Sequence, residues 1–388
     1  MIRNLKLEIS NSLTFYVKVF GCQYNEWDAT RLAFALKKLG LIEADAEDAE
    51  IVFILNCSVR KSGVDRALGF VKNLTSPSLS LKRRGTIVVT GCVLVADRPR
   101  FEKKGVILWD GEDFSKLSEI LQIEIPLELT AYNLPLTTSF VPIMKGCDNF
   151  CSYCAVPYVR GREISRPFAD VISDVKNLVS AGHREITLLG QNVNSYHAPA
   201  VIHAKAGIQN NVLDPRVNLP AGQAGPEDDN KSGFATLLKA INDIEGNFVI
   251  KFTSNHPKDM SDEIIEAIAT LPKIAKEVHL PLQSGSNKVL KSMNRPYTKE
   301  QYLELVEKIK TKIPDVKITT DVIVGYPNET EEDFEQTVEI FNKVKYFQAY
   351  INKYSPREGT VAFKLGDPVP WPEKDRRWRI LNEIANKK

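Results

Sequence analysis

The chain has 388 residues and a net charge of +2, because 51 Lys and Arg nearly balance 49 Asp and Glu. This length suggests two or three domains, and the near-neutral charge gives no overall positive field that would indicate a nucleic-acid partner. Six Cys are too sparse for a disulfide scaffold, the apolar runs are far shorter than the roughly 18–20 residues that span a bilayer, and no signal peptide is visible. We therefore exclude membrane proteins and disulfide-rich secreted proteins, and expect a cytoplasmic enzyme or binding protein.

The first 125 or so residues alternate between short strands and helices. Three runs rich in β-branched and other apolar residues predict strands, namely Thr14–Gly21, Ile51–Asn56 and Thr86–Gly91. Between the first two, Asn25–Gly40 has apolar residues at mostly helical spacing and ends on a Gly. This alternation predicts a small parallel α/β domain over residues 1–125, and the Pro residues that follow predict a linker over 126–138.

A longer series of strands and helices begins at about residue 139 and is predicted to reach residue 370. Its predicted strands are Phe140–Gly146, Glu185–Gln191, Phe248–Ser254, Val278–Leu282, Lys317–Val324 and Phe347–Tyr354. Its predicted helices are Phe168–Ala181, Phe234–Glu245, Ser261–Leu271, Lys299–Lys312 and Glu331–Val344, and Thr298 with Gln301 has the capping-box spacing for the fourth of them. Six strands with crossover helices favour a partial (β/α)6 barrel like part of a TIM barrel, followed by a basic helix over 371–388.

The segment 198–232 does not fit this alternation. It has four Pro, three Gly and no aromatic residue, and it interrupts what should be a short connection after the second strand. Structureless connections of this length are usually functional or disordered. We expect a disordered insertion, with a substrate-gripping loop as the alternative.

Three of the six Cys form one motif. Cys147, Cys151 and Cys154 have the spacing Cys-x-x-x-Cys-x-x-Cys directly after the first strand of the second series. Three thiolates on one loop can bind three irons of a cubane cluster and leave the fourth iron open for a substrate. A structural zinc site would need a fourth ligand, and no His or other Cys lies near in the sequence.

The other three Cys follow the predicted strands of the first domain. Cys22, Cys57 and Cys92 each lie one or two residues past the end of a strand. Ligands of open parallel sheets sit at the carboxyl ends of the strands, so these thiols can converge although no local motif joins them. A second cluster and three ordinary buried thiols both remain open on this reasoning.

Together these residues resemble the radical S-adenosylmethionine methylthiotransferase family. The resemblance is carried by Gly146–Cys154, Val156–Glu163 and Ser165–Pro167. Supporting segments are Gly21–Asn25, Asn56–Arg60, Gly91–Val93, Leu189–Tyr196, His256–Met260, Leu280–Ser286 and Asp321–Pro327. The resemblance covers almost the whole chain outside 198–232.

The resemblance implies a transferase with two [4Fe-4S] clusters and S-adenosylmethionine as cofactors. The set Cys147, Cys151 and Cys154 would hold the cluster whose open iron chelates S-adenosylmethionine, giving a 5′-deoxyadenosyl radical that removes hydrogen from C2 of an adenine. The set Cys22, Cys57 and Cys92 would hold the auxiliary cluster that supplies sulfur, and a second S-adenosylmethionine would supply the methyl group. Such chemistry belongs to cofactors, because acid–base side chains cannot attack an unactivated C–H bond.

Secondary candidates come from the ends of the barrel strands and the segment after the Cys motif. Gln191, Ser254, Gln283, Ser284 and Asp321 are predicted to contact S-adenosylmethionine or adenine, with helix capping or loop bonding as the alternative for each. Tyr153, directly before the last Cys of the motif, is also predicted to be a cofactor-binding residue. Arg160, Arg162 and Arg166 are predicted to grip phosphates or an adenine face, with a salt-bridged surface as the alternative. The remaining candidates His183, His256 and His279 are given no catalytic role.

Within the family, the motifs match best the subgroup that acts on N6-isopentenyladenosine at position 37 of tRNA. The rival subgroups act on threonylcarbamoyladenosine in tRNA or on ribosomal protein S12, and a non-catalytic, cluster-carrying RNA-binding protein is the alternative of a different class. Family members continue into a C-terminal TRAM domain that helps bind RNA; here we expect its absence after Lys388, which would weaken tRNA binding. The expected partners are the anticodon loop of tRNA and an electron donor such as flavodoxin or ferredoxin, with a monomer favoured.

Overall fold

The N-terminal part of the chain forms one parallel sheet. The computed structural model describes residues 13–75, 85–111, 113–126, 129, 138–197 and 233–386. The strands of this sheet are β1 (Thr14–Val19), β2 (Ile42–Glu43), β3 (Ile51–Cys57), β4 (Thr86–Cys92) and β5 (Ile107–Leu108), in the order β2-β1-β3-β4-β5. The helices are α1 (Gln23–Lys38), α2 (Lys61–Leu74), α3 (Arg98–Glu102) and α4 (Phe114–Leu121).

Helices cover both faces of this sheet, which explains why β3 reads as a continuous apolar run. Phe53 packs with residues of α1 and α4 on one face. Its neighbours Val52 and Ile54 point to the opposite face and pack with residues of α2 and α3. The three strands predicted in this region are present, extended or shortened at their ends by two residues or fewer.

The second part contains six parallel strands that form a partial barrel. Its elements are β6 (Phe140–Pro142), β7 (Met144–Lys145), α5 (Val156–Arg160), β8 (Ile164–Ser165), α6 (Phe168–Ser180), β9 (Glu185–Leu189), α7 (Gly233–Asn242), β10 (Val249–Phe252), α8 (Asp262–Thr270), β11 (Glu277–His279), α9 (Asn287–Ser292), α10 (Lys299–Lys312), β12 (Lys317–Val324), α11 (Glu331–Val344), β13 (Gln348–Lys353) and α12 (Trp371–Asn386). Strands β6, β9 and β10 form one parallel ladder and β11, β12 and β13 another. Backbone hydrogen bonds from Ile250 to Lys273 and from Ala275 to Ile250 join β10 of the first ladder to the segment just before β11 of the second. The predicted α/β class is confirmed.

The first predicted strand of the barrel is wrong as a single element. At Ile143 the backbone N–H still bonds to Leu189 of β9, whereas the carbonyl accepts from Arg166. The chain therefore changes partners there, and Met144–Lys145 pairs antiparallel with Ile164–Ser165 instead of continuing along β9. Helices α2, α3, α4, α5 and α9 were not predicted. The capping box of Thr298 and Gln301 is confirmed at the start of α10.

Apolar side chains pack the two parts against each other. Tyr24 and Trp27 of α1 form a cluster with Leu189 of β9, and Phe140 of β6 packs beside them. None of the described helices is long and apolar enough to cross a membrane. The predicted insertion 198–232 lies outside the described residues, as do most of the predicted linker 126–138 and the last two residues of the predicted C-terminal helix.

Candidate active site

The loop with the first three Cys begins at a glycine where any side chain would meet the backbone of Arg162. Gly146 has φ +79°, and a Cβ there would lie 2.0 Å from the backbone oxygen of Arg162. Its N–H donates to Oε1 of Gln191 over 2.7 Å. Gln191, predicted to contact the cofactor, thus also anchors the start of the Cys loop.

A serine between the second and third Cys fixes the loop to α9. The Ser152 hydroxyl lies 2.8 Å from the backbone oxygen of Ser292 and 2.8 Å from the Tyr326 hydroxyl. Its N–H donates to the carbonyl of Met293 over 3.0 Å. The loop is therefore held by the barrel from both sides, which preorganises its thiols.

These thiols are desolvated and one of them contacts an arginine. Burial raises the pKa of Cys147 and raises the pKa of Cys154 to about 12, so without a metal both are protonated at neutral pH. Nη1 of Arg295 lies 3.4 Å from Sγ of Cys151, and Nε of Arg295 donates to the Tyr297 hydroxyl over 2.9 Å. Arg295 follows the unpredicted helix α9, and sequence reasoning missed it.

The other three Cys lie together at the carboxyl edge of the N-terminal sheet. Cys22 immediately precedes α1, and Cys57 and Cys92 are register partners at the ends of β3 and β4. The strand order matches the doubly wound arrangement in which ligands bind between the first and third strands. Burial raises the pKa of Cys57 and raises the pKa of Cys92 to about 12.

Two buried asparagines hold this edge in place. Asn25 donates from Nδ2 to the backbone oxygen of Asn56 over 2.8 Å, and Asn56 donates from Nδ2 to that of Cys92 over 2.9 Å. The three segments that carry the thiols are thereby tied to one another by side chains that the sequence analysis did not single out.

The donor sets fit iron–sulfur clusters better than a single ion. Each set supplies three thiols and no histidine, which suits cluster irons. Within the described residues, no three His, Cys, Asp or Glu side chains approach closely enough to hold one metal ion. Cluster thiolates bind different irons, whereas the ligands of a zinc site share one ion.

A cavity of about 210 Å³ adjoins the first Cys set. It is lined by Cys147, Cys151 and Cys154 together with the predicted cofactor residues Tyr153, Gln191, Ser254, Gln283 and Asp321. Ser254 and Gln283 have φ values of +68° and +66°, a strained conformation that clusters at functional sites. Asp321 accepts from Nε2 of His279 over 3.0 Å if that nitrogen carries the proton.

Ser284 lies apart from the other predicted cofactor residues. It is fully buried, does not line the cavity, and accepts a hydrogen bond from the N–H of Ser286. Loop bonding, the alternative considered from the sequence, describes this contact.

Three residues that line the cavity each have one buried polar atom that makes no hydrogen bond to the described residues. These atoms are Oδ1 of Asn192, Oδ1 of Asn255 and Nε2 of His256. The opposite ends of these side chains are occupied, since Asn192 donates to Asp259 and Nδ1 of His256 accepts from the N–H of Lys258. Buried polar groups are normally paired, so each of these atoms lacks the partner that such groups usually have. The two asparagines were missed, and their only sequence signal was their place after barrel strands.

The three predicted substrate arginines do not form one patch. Arg160 is buried and contacts Asn25, Asp28 and Cys92 of the N-terminal part. Arg166 is mostly buried and bonds to the carbonyl of Pro142 and to Asp174. Only Arg162 is well exposed, at 73% of its side chain, where it pairs with Asp148.

A wide cleft of about 680 Å³ opens between the two parts of the chain. One wall is the segment after Cys57, from Val59 to Ser62, and the other includes Ile351–Ser355 at the end of β13. Tyr153, Cys154, Gln283 and Asp321 line both this cleft and the smaller cavity. A substrate in the cleft would therefore lie beside Cys154 of the first set and beside the segment that follows Cys57 of the second.

The family models agree with this division. The Radical SAM superfamily matches residues 141–341, about half of the chain, and Uncharacterized protein family UPF0004 matches residues 14–108. The class is thus that of radical SAM proteins. A protein of Thermotoga petrophila named tRNA-2-methylthio-N(6)-dimethylallyladenosine synthase is 39% identical over 97% of this chain and 82% of its own length. One of the same name from Clostridium botulinum is 39% identical over 96% and 82%. The chain belongs to this family of synthases.

Solved structures support the fold. The radical S-adenosylmethionine methyltransferase TsrM of Kitasatospora setae, solved with cobalamin and a [4Fe-4S] cluster, has a TM-score of 0.61 at 12% identity, covering 91% of this chain and 77% of its own. The cobalamin-dependent S-adenosylmethionine radical enzyme OxsB has a TM-score of 0.54 at 10% identity, covering 96% and 56%. At these identities the likeness concerns the fold alone.

Proposed function

We propose that this protein methylthiolates C2 of N6-isopentenyladenosine at position 37 of tRNA. The observation that carries the proposal is the pair of three-Cys sets, one in the loop after β7 of the barrel part and one at the carboxyl edge of the N-terminal sheet, with a cleft that both parts of the chain line. The names of the relatives at 39% identity support the substrate.

Cys147, Cys151 and Cys154 would hold the cluster that binds S-adenosylmethionine, and Cys22, Cys57 and Cys92 the auxiliary cluster. These cofactors supply the hydrogen-abstracting radical, the sulfur and the methyl group. The task of the chain is to hold them in one water-poor space. The unpaired oxygens of Asn192 and Asn255 suit the amino groups of S-adenosylmethionine, and the neutral His256 can donate from Nε2 to its carboxylate.

The cleft would admit the target base together with its neighbouring phosphates. Lys61 on one wall offers positive charge, whereas Lys353 on the other wall pairs with Asp375 and lies 4.6 Å from the ring centroid of Trp371. Trp371 is 63% exposed, so its ring can stack on a base. Of the three arginines predicted for the substrate, Arg162 is the one whose exposure suits a phosphate contact. Further proposals are a reductant such as flavodoxin or ferredoxin, a cytoplasmic location and a monomeric state.

The test is anaerobic reconstitution with iron and sulfide, followed by incubation with S-adenosylmethionine, a reductant and tRNA that carries N6-isopentenyladenosine. We expect 5′-deoxyadenosine and, by mass spectrometry of the nucleosides, the 2-methylthio product. Parallel reactions with threonylcarbamoyladenosine tRNA and with ribosomal protein S12 test the other substrates. Absence of 5′-deoxyadenosine would contradict an enzyme and favour a cluster-carrying binding protein. A Cys151→Ala variant is the control, because it removes one ligand of the first set.

A further inference from the structure

The guanidinium group of Arg160 lies among residues of the N-terminal sheet, although Arg160 belongs to α5 of the barrel part. Its Nε donates to Sγ of Cys92 over 3.0 Å. Its Nη2 donates to Oδ1 of Asn25 and, over 3.2 Å, to Oδ2 of Asp28. The side chain is only 8% exposed, so solvent screens these contacts weakly.

The residues around Arg160 fix the orientation of its guanidinium group. The guanidinium carbon lies 4.1 Å from the ring centroid of Tyr24, so the aromatic face covers one side of the planar group. Asp28 compensates the positive charge of Arg160. The planar guanidinium group uses Nε to contact Cys92 and Nη2 to contact Asn25. A lysine at this position would keep the charge but lose the planar group whose separate nitrogens donate to different partners.

We propose that Arg160 is a positioning residue that holds the Cys92 sulfur and raises the reduction potential of the cluster bound by Cys22, Cys57 and Cys92. This inference depends on the auxiliary cluster of the proposed function. A hydrogen bond to a ligating sulfur and a nearby positive charge both stabilise the more negative, reduced state of a cluster. Because α5 belongs to the barrel part, the potential of the auxiliary cluster then depends on how the two parts dock.

The first Cys set also has an arginine in contact with one of its thiols, but that arginine lies in the same part of the chain as the set. Arg295 contacts Cys151 and is 7% exposed, but both residues belong to the barrel part. Of these two arginine–cysteine contacts, that of Arg160 joins the two parts of the chain. The second set therefore receives its arginine from outside its own sheet.

The experiment uses the full chain with Cys147, Cys151 and Cys154 replaced by Ala, so that only the auxiliary cluster forms. Its midpoint potential is measured by an EPR-monitored redox titration, with iron and sulfide content measured on the same samples. We expect Arg160→Gln to shift the potential to a more negative value at unchanged iron content. Arg160→Lys should recover part of the shift, since it restores the charge without the planar group. The matched control is Arg162→Gln, two residues away and exposed, which should leave the potential unchanged.

Asp28→Asn adds a test in the opposite direction. It keeps Arg160 and removes the compensating negative charge, so the potential should become more positive. If Arg160→Gln binds no iron, Arg160→Lys and Asp28→Asn decide the question. Unchanged potentials in the variants that retain iron would overturn the inference. A failure of the background protein to bind any cluster would instead contradict the auxiliary cluster of the proposed function.

Discussion

Arg357 forms a buried ion pair with Asp97, a residue 260 positions earlier in the chain. Arg357 follows β13 of the barrel part, and Asp97 follows β4 of the N-terminal sheet. The Ser58 hydroxyl, next to Cys57, also donates to Asp97 over 2.9 Å. The pair therefore ties the segment after the Cys57 thiol to the wall of the cleft.

Asp97→Ala should lower the free energy of unfolding by about 3–5 kcal/mol, because it leaves the Arg357 guanidinium buried without its partner. Urea denaturation of the metal-free protein measures the change. The control is Asp65→Ala, which removes an exposed partner of Arg100 and should cost about 1 kcal/mol or less. Equal effects of the two substitutions would show that the Asp97 pair does not hold the two parts together.

Cys57→Ala should abolish methylthio transfer and leave reductive cleavage of S-adenosylmethionine intact, since Cys57 belongs to the set that does not line the cavity beside the first Cys set. The measurements are 5′-deoxyadenosine by chromatography and the methylthio nucleoside by mass spectrometry. Cys147→Ala should remove both products. Loss of cleavage in Cys57→Ala as well would count against two separate clusters.

Gly146→Ala should abolish iron binding by the first Cys set, because the new Cβ would meet the Arg162 backbone oxygen at 2.0 Å and the residue would also carry φ +79°. Iron content in a Cys57→Ala background reports on this set alone. The matched control is Gly182→Ala at φ +89°, where a Cβ meets nothing within 4 Å, so only the backbone strain remains. Normal iron content in Gly146→Ala would mean that the loop can shift without losing its ligands.

His256 should make the protein less stable in mild acid. Burial, helped by the charges of Arg295 and Lys258, lowers the pKa of His256 from its usual 6.5 to about 2. Below pH 6.5 the His256 side chain is therefore protonated in the unfolded chain but stays neutral in the folded chain. As the pH falls, the free energy of unfolding decreases by up to about 1.4 kcal/mol per pH unit.

His256→Asn should reduce that slope between pH 6.5 and pH 5 and leave the slope between pH 7 and pH 8 unchanged. Denaturant titrations of the metal-free protein at several pH values measure both slopes. Asn is chosen because its side chain can still accept from the N–H of Lys258 in place of Nδ1. An unchanged slope below pH 6.5 would show that His256 is protonated in the folded state.

Local patterns predicted the regular elements well. The bounds of β12, α10 and α11 agree residue for residue with the sequence predictions, because their periodicity and caps are contained within each segment. The break at Ile143 was missed, since it depends on which strand pairs with each side of that residue. Short helices such as α9 were also missed, because six residues are too few to show a helical period in the sequence.

For the site, the sequence by itself determined the two sets of three Cys and the strand ends on which they lie, because thiol spacing and alternation are local properties of the chain. Tertiary structure decided what surrounds them. Arg160, expected to meet the substrate, is buried against Cys92, and Asn192, Asn255 and His256, which line the cavity beside the first Cys set, each have an unpaired buried atom. Which of many polar residues becomes buried, and against which partner, depends on contacts between segments far apart in sequence, and no local pattern contains that information.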